Sequence, residues 1–152
     1  MLPVVVKIIE RLVHRQLFAS LQKNGVFHQA QSGFRPQHKT QETLVGVIDE
    51  WGWSLDGYKL VGSIMIDLSK AVDNVDHSIL LKKLSKYGVK GKELRWLEDY
   101  LQERKQRVRV GDTPSAWCGV KKGVPQGSIL GPRHFILYVN DLPQVGKNPV
   151  TH

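Results

Sequence analysis

A single cysteine, Cys118, stands in a chain of 152 residues. No internal disulfide is possible, which fits a reducing compartment. Long apolar runs are lacking too. Lys7, Glu10 and Arg11 interrupt the first hydrophobic stretch, and no run approaches the length of a membrane span. Nothing has the layout of a signal peptide with a cleavage site. The expectation is an intracellular protein, in nucleus or cytoplasm, with no membrane partner. Internal repeats and low-complexity tracts are absent. No two aspartates are adjacent anywhere in the chain.

What is present suits one globular domain. Hydrophobic residues make up 41% of the chain and charged residues 24%, which argues for a packed core and against disorder. The net charge of +8 favours a polyanionic partner. That charge is uneven. Residues 82–122 hold twelve Lys and Arg against five Asp and Glu, while the remainder is nearly balanced. A solvated basic face and a surface for a nucleic-acid backbone both fit this pattern.

The stretch from Gly62 to His77 organises the sequence. Gly62-Ser63-Ile64-Met65-Ile66 is rich in β-formers and reads as a buried strand. It ends on a carboxylate, Asp67, and Asp73, Asp76 and His77 follow within ten residues. An acid at a strand end can present a metal ligand to a cleft. It can also simply mark the end of the strand, with Asp76 capping the next helix.

A second stretch, Gly123-Val124-Pro125-Gln126-Gly127-Ser128-Ile129-Leu130-Gly131-Pro132, is a Gly- and Pro-rich loop entering an apolar run. Pro132 suits the first turn of a helix from Arg133 to Asn140. Such a loop is either a tight connector or a set of backbone N–H groups for a phosphate or a base edge. The two stretches read IMIDLSKAVDNVDH and GVPQGSILGPRHFILYVNDLP. They resemble motifs A and B of reverse transcriptases, particularly those of non-LTR, LINE-like retrotransposons. Gln31-Ser32-Gly33-Phe34-Arg35-Pro36 is similar to a fingers motif of the same family, and Met1 to Ile9 resemble the middle of another. The three strings occur in the family's order and spacing.

Local patterning supplies the other elements. Val5, Ile8, Ile9, Leu12, Leu17 and Leu21 mark one face of a helix over residues 4–23, stopped by Asn24-Gly25. Thr40 is placed to cap a helix to about Ser54, with Leu44, Val47, Ile48 and Trp51 as its buried stripe. A helix after Asp76 carries Ile79, Leu80, Leu81, Leu84 and Tyr87 and stops at Gly88. The next helix, from about Lys92 to Arg104, buries Leu94, Leu97 and Leu101. Gln106 to Val110 and Ala116 to Lys121 read as a hairpin around the turn residues Gly111-Asp112-Thr113-Pro114-Ser115, with Arg107 and Arg109 on one face.

The resemblance carries further expectations. The fold class is α/β (α+β), a partial right-hand polymerase fold of lower fingers plus an incomplete palm sheet backed by helices. Residues 1–58 are fingers-like and residues 59–152 palm-like. The complete enzyme would extend a DNA 3′-end on an RNA template, using deoxynucleoside triphosphates and two Mg²⁺ ions. Asp67 matches the catalytic, metal-ligating acid of motif A. Leu68, Gln126 and Gly127 match positions that touch the incoming nucleotide or template, and Arg35 is a candidate phosphate contact. Val72 stands where the family has the Phe that guards sugar selectivity. Lys105, Arg107, Arg109, Lys121 and Lys122 are candidate nucleic-acid contacts on charge. Arg133 and His134 replace an apolar pair. The family's third motif, an aromatic-Ala-Asp-Asp hairpin, does not follow Asn140-Asp141-Leu142-Pro143 in this sequence. The expectation is a fragment that does not polymerise alone. The rival reading is a non-catalytic nucleic-acid-binding remnant.

Overall fold

The computed structural model describes residues 4–36, 38–102, 104–125 and 127–145. The chain divides into two units, one made of residues 1–28 with 70–152 and the other of residues 29–69.

The larger unit is a helical assembly with one ragged hairpin. Helix α1 spans Val4–Lys23 and ends at Gly25, whose φ of 62° lies in the left-handed region that glycine adopts at low cost. Its apolar face is used only in part. Phe18 and Leu21 are buried, but Val5, Ile8, Ile9 and Leu12 are exposed. The buried residue nearer its start is Glu10. Helix α3 spans His77–Lys86, and Asp76 caps it: the carboxylate accepts from the N–H groups of Ser78 (2.9 Å) and Ile79 (3.2 Å). The Ser78 hydroxyl, which also donates to it at 2.7 Å, and then these backbone bonds hold its pKa below the ordinary carboxylate range. Helix α4 spans Gly91–Leu101, buries Leu97 and Leu101, and leaves Leu94 half-buried. It stops short of Arg104 because Gln102 turns extended towards the hairpin.

The hairpin comprises β1 (Lys105–Gln106), β2 (Arg109–Val110), β3 (Thr113–Pro114) and β4 (Cys118–Gly119). Lys105 pairs with Gly119 and Gln106 with Cys118; Arg109 pairs with Pro114 and Val110 with Thr113. Between these ladders two residues on one strand face three on the other, which is a bulge. Gly111, with φ 59°, opens the two-residue turn. Helix α5 spans Gly131–Tyr138 with Pro132 in its first turn, and α6 is a short turn, Leu142–Val145. Phe18, Leu21, Phe27, Leu80, Leu84, Leu97, Leu101, Ile136 and Leu137 form the core between these helices.

The smaller unit holds helix α2, Thr40–Asp56. Lys39, not Thr40, occupies its N-cap position, and no side chain caps it; the Thr43 hydroxyl bonds back to the Lys39 carbonyl. The expected stripe is not buried: Leu44 and Ile48 are exposed, Val47 and Trp51 half-buried. Among the described residues this helix has no second helix or strand within its own unit to pack against.

The predicted strand ending at Asp67 is the main correction. Residues 59–68 form no helix or strand, and Ile64, Met65 and Ile66 are 91%, 86% and 81% exposed. Strand propensity there is real, but a strand exists only through bonds to a neighbour, and none pairs with this segment among the described residues. Sheet structure among those residues is therefore the hairpin and one isolated bridge, Asp76 to Lys122. The expected palm sheet is absent from them, and what stands is a mixed fold of helices with small antiparallel ladders.

Candidate functional site

The tail of the first motif docks directly against the second. Lys70 sits in the left-handed region at φ 52°, and its carbonyl accepts from the N–H groups of Asp73 and Asn74, closing a tight turn. The turn sends residues 72–76 alongside 122–125. Gly123 N–H donates to the Val75 carbonyl (2.8 Å) and Val124 N–H to the Val72 carbonyl (3.1 Å). The buried His77 Nε2 lies 2.7 Å from the Gly123 carbonyl, so this nitrogen carries the proton and donates. Gly123 has φ +83°, and a Cβ there would lie 2.8 Å from the Asp73 carbonyl oxygen. Only glycine permits this approach.

The second motif then anchors itself. The buried Ser128 hydroxyl accepts from the Gly131 N–H at 2.8 Å, capping α5 from within the loop. A Cβ on Gly131 would meet that hydroxyl at 2.7 Å. Glu10 of α1 reaches across the core: its carboxylate accepts from the Ile129 N–H (2.7 Å) and from the Tyr100 hydroxyl (2.6 Å). Burial, and then this bond, push the Tyr100 phenol far up. At the far end of α5 the buried Asn140 side chain donates to the Val26 carbonyl and accepts from the His28 N–H, at 2.8 and 2.9 Å. Sequence reasoning missed Glu10, Tyr100 and Asn140. Glu10 looked like a surface residue interrupting an apolar run, and no local signal separates it from one.

Gln126 lies outside the described residues, as do Met1 to Pro3. Gly127 is exposed with φ 72°. Val72 is half-buried and packs against the core, its carbonyl held by Val124. Asp67 and Leu68 are exposed on the irregular segment of the smaller unit. Arg35 lies in that same unit, half-buried, with one guanidinium nitrogen donating to the Gln31 carbonyl at 3.1 Å. Lys105, Arg107, Arg109, Lys121 and Lys122 are all exposed on or beside the hairpin of the larger unit. Arg109 is engaged locally by Asp112 at 2.9 Å.

A resident divalent ion does not fit these residues. Magnesium is held by several oxygens in near-octahedral array. Among the described residues no three His, Cys, Asp or Glu come together around one point. Asp76 is spent as a helix cap, and Asp67 alone is one ligand and not a site.

The sequence profile of the family "Reverse transcriptase (RNA-dependent DNA polymerase)" matches residues 1–149. The chain belongs to that family. Within it, the reverse transcriptase chain is 33% identical over 144 residues to the probable RNA-directed DNA polymerase from transposon X-element of Drosophila melanogaster. That match covers 95% of this chain and 16% of the relative. The RNA-directed DNA polymerase from mobile element jockey of Drosophila funebris is 31% identical, over 99% of the chain and 16% of its own length. The Pol polyprotein from type-1 retrotransposable element R2 of Popillia japonica is 27% identical, over 88% of the chain and 19% of its length. The chain thus spans about a sixth of the length of the curated relatives it matches. No solved structure matches it. These relatives place the reverse transcriptase chain among non-LTR retrotransposon polymerases. No described helix is long and apolar enough to cross a membrane.

Proposed function

We propose that this reverse transcriptase chain supplies the lower fingers, residues 1–58, and the palm, residues 59–152, of a right-hand polymerase that extends a DNA 3′-end on an RNA template. Its substrates are deoxynucleoside triphosphates. Asp67 is the motif A carboxylate, and Leu68, Val72, Gln126 and Gly127 face the incoming nucleotide and template. Arg35 contacts phosphate, and the basic residues of the hairpin contact nucleic acid. Magnesium is the ion proposed for the complete polymerase, with Asp67 as one ligand. The described residues supply no second one, so no chemical step is assigned to it here.

The observation that carries this reading is the bonding of residues 72–77 to residues 123–124. The tail of the first motif and the start of the second share one backbone scaffold, which supports the reading that the two motifs act together. The glycine at 123 is required by that lock.

The test is a chimera in which this chain replaces the matching segment of the jockey polymerase. Primer extension on poly(rA)–oligo(dT) that disappears with Asp67→Ala is the expected result. A chimera that folds, binds template and never extends would favour the non-catalytic remnant.

A further inference from the structure

One surface beside the docked motifs has its own chemistry. A cavity of about 590 Å³ opens where the hairpin meets the docked motif segments. Among the described residues Arg104, Lys105 and Lys122 line it, against one carboxylate, Asp73. Its walls also include Gly123 and Val124, the residues of the backbone lock. The excess of cations suits an oxyanion, and Arg104 is held in place by Tyr100. Its guanidinium lies 5.1 Å from the Tyr100 ring, and one of its five N–H groups donates to the Tyr100 carbonyl.

A second observation lies on the same hairpin. Trp117 is 61% exposed, and the Arg107 guanidinium sits 4.6 Å from its ring centroid. Lys105, Arg107 and Arg109 alternate onto one face of their strand. Arg107 is two residues, about 7 Å, from Lys105 along it. The β1–β4 register, continued by one residue, sets Trp117 opposite Arg107, and the bulge lies beyond that pair, where residues 115 and 116 face Val108. The surface therefore carries a cationic cavity and, about one nucleotide's reach away, an aromatic ring backed by a cation.

We infer that this face of the hairpin binds single-stranded nucleic acid, with a backbone phosphate in the cavity of Arg104, Lys105 and Lys122 and a base stacked on Trp117. A flat ring beside a basic cavity is the recognition chemistry of single strands, whose bases are unstacked and free to lie on it. In a duplex the bases are paired and stacked, so Trp117 finds no partner there. The site rests on the polymerase reading only in that both need nucleic acid. It shares wall residues Gly123 and Val124 with the second motif but uses neither Asp67 nor the smaller unit.

The experiment is fluorescence anisotropy of the purified chain with labelled dT20, rU20 and a blunt duplex of the same length, from 50 to 200 mM salt. Single strands should bind more tightly than duplex. Trp117→Ala should weaken single-strand binding about 5- to 100-fold and leave duplex binding unchanged, and Trp117→Phe should recover most of the loss. Lys105→Gln with Lys122→Gln should lower the salt slope by about 0.7 per lost phosphate contact. A matched pair on α1, Lys7→Gln with Arg11→Gln, removes the same charge elsewhere and should do less. Equal losses from both pairs, or no effect of Trp117→Ala on single strands, would overturn the site. Circular dichroism of each variant separates lost binding from lost folding. Primer extension by the chimera reports on the polymerase reading separately, since neither Trp117 nor the cavity holds the reacting atoms.

Discussion

His134 shows at the scale of one residue what the sequence hides. The family's apolar pair is replaced by Arg133 and His134, and α5 turns His134 fully inward. Neither ring nitrogen finds a partner among the described residues. Burial, with His77 nearby, holds its pKa down at about 4. The imidazole is therefore neutral when folded, and a buried unpaired polar group costs about 1–3 kcal/mol. His134→Leu should raise stability by that order, read as a higher urea midpoint. The pH dependence has a definite sign. Above pH 6.5 neither state is protonated at this residue, and its folded state bears no pH penalty. Between pH 6.5 and about 4 only the unfolded chain takes the proton, so stability falls as pH drops. The loss attributable to His134 approaches about 3 kcal/mol and flattens below the folded pKa. The difference between wild type and His134→Leu in urea at pH 7 and pH 4.5 isolates it. Gly123 carries the opposite lesson, because a loop glycine is legible as special. Its φ of +83° and the 2.8 Å approach to Asp73 explain why. Gly123→Ala should destabilise by about 2 kcal/mol or more, measured the same way.

Among the elements, most of those with local signals formed as read, although Thr40 did not cap its helix and Thr113–Pro114 joined a strand instead of the turn. The Asp76 cap, the Gly88 stop and the Gly111 turn need only neighbouring residues to define them, so α3 and the hairpin were legible. The helix over residues 40–56 was legible as a helix but not in its burial, because its apolar stripe needs a partner that composition does not supply. The segment 59–68 failed for the same reason, more severely. A helix satisfies its own backbone, whereas a strand borrows half its hydrogen bonds from another segment. The outcome is an exposed apolar strip, with Leu60, Ile64, Met65 and Ile66 each more than 80% exposed. Such strips bind other apolar surfaces. The isolated chain should bind a hydrophobic dye and self-associate as concentration rises. Replacing Ile64 and Ile66 by Thr should reduce both. A monodisperse chain that binds no dye would contradict this.

For the whole molecule, the strongest statement concerns activity. Enzymic rate enhancements begin at about a million-fold, and a polymerase draws much of its enhancement from positioned charge. The purified chain carries Asp67 as an exposed acid without clustered partners among the described residues. It should therefore give no extension of oligo(dT) on poly(rA), with or without Asp67→Ala. Extension that depends on Asp67 would reveal a ligand set not seen here. By itself the sequence determined the family and the positions of its motifs, because those strings are local and specific. It also determined the Asp76 cap and the Gly25 and Gly88 stops. Only the tertiary structure decided which faces meet. It made Glu10 a buried acceptor for the motif B loop and gave Asn140 a tie to the end of α1. It also set Trp117 against Arg107 through the register of the hairpin. Each of these depends on contacts between residues about 10 to more than 100 positions apart. Such contacts leave no periodicity in the chain, since burial of a polar group is fixed by what packs over it and not by its neighbours in sequence.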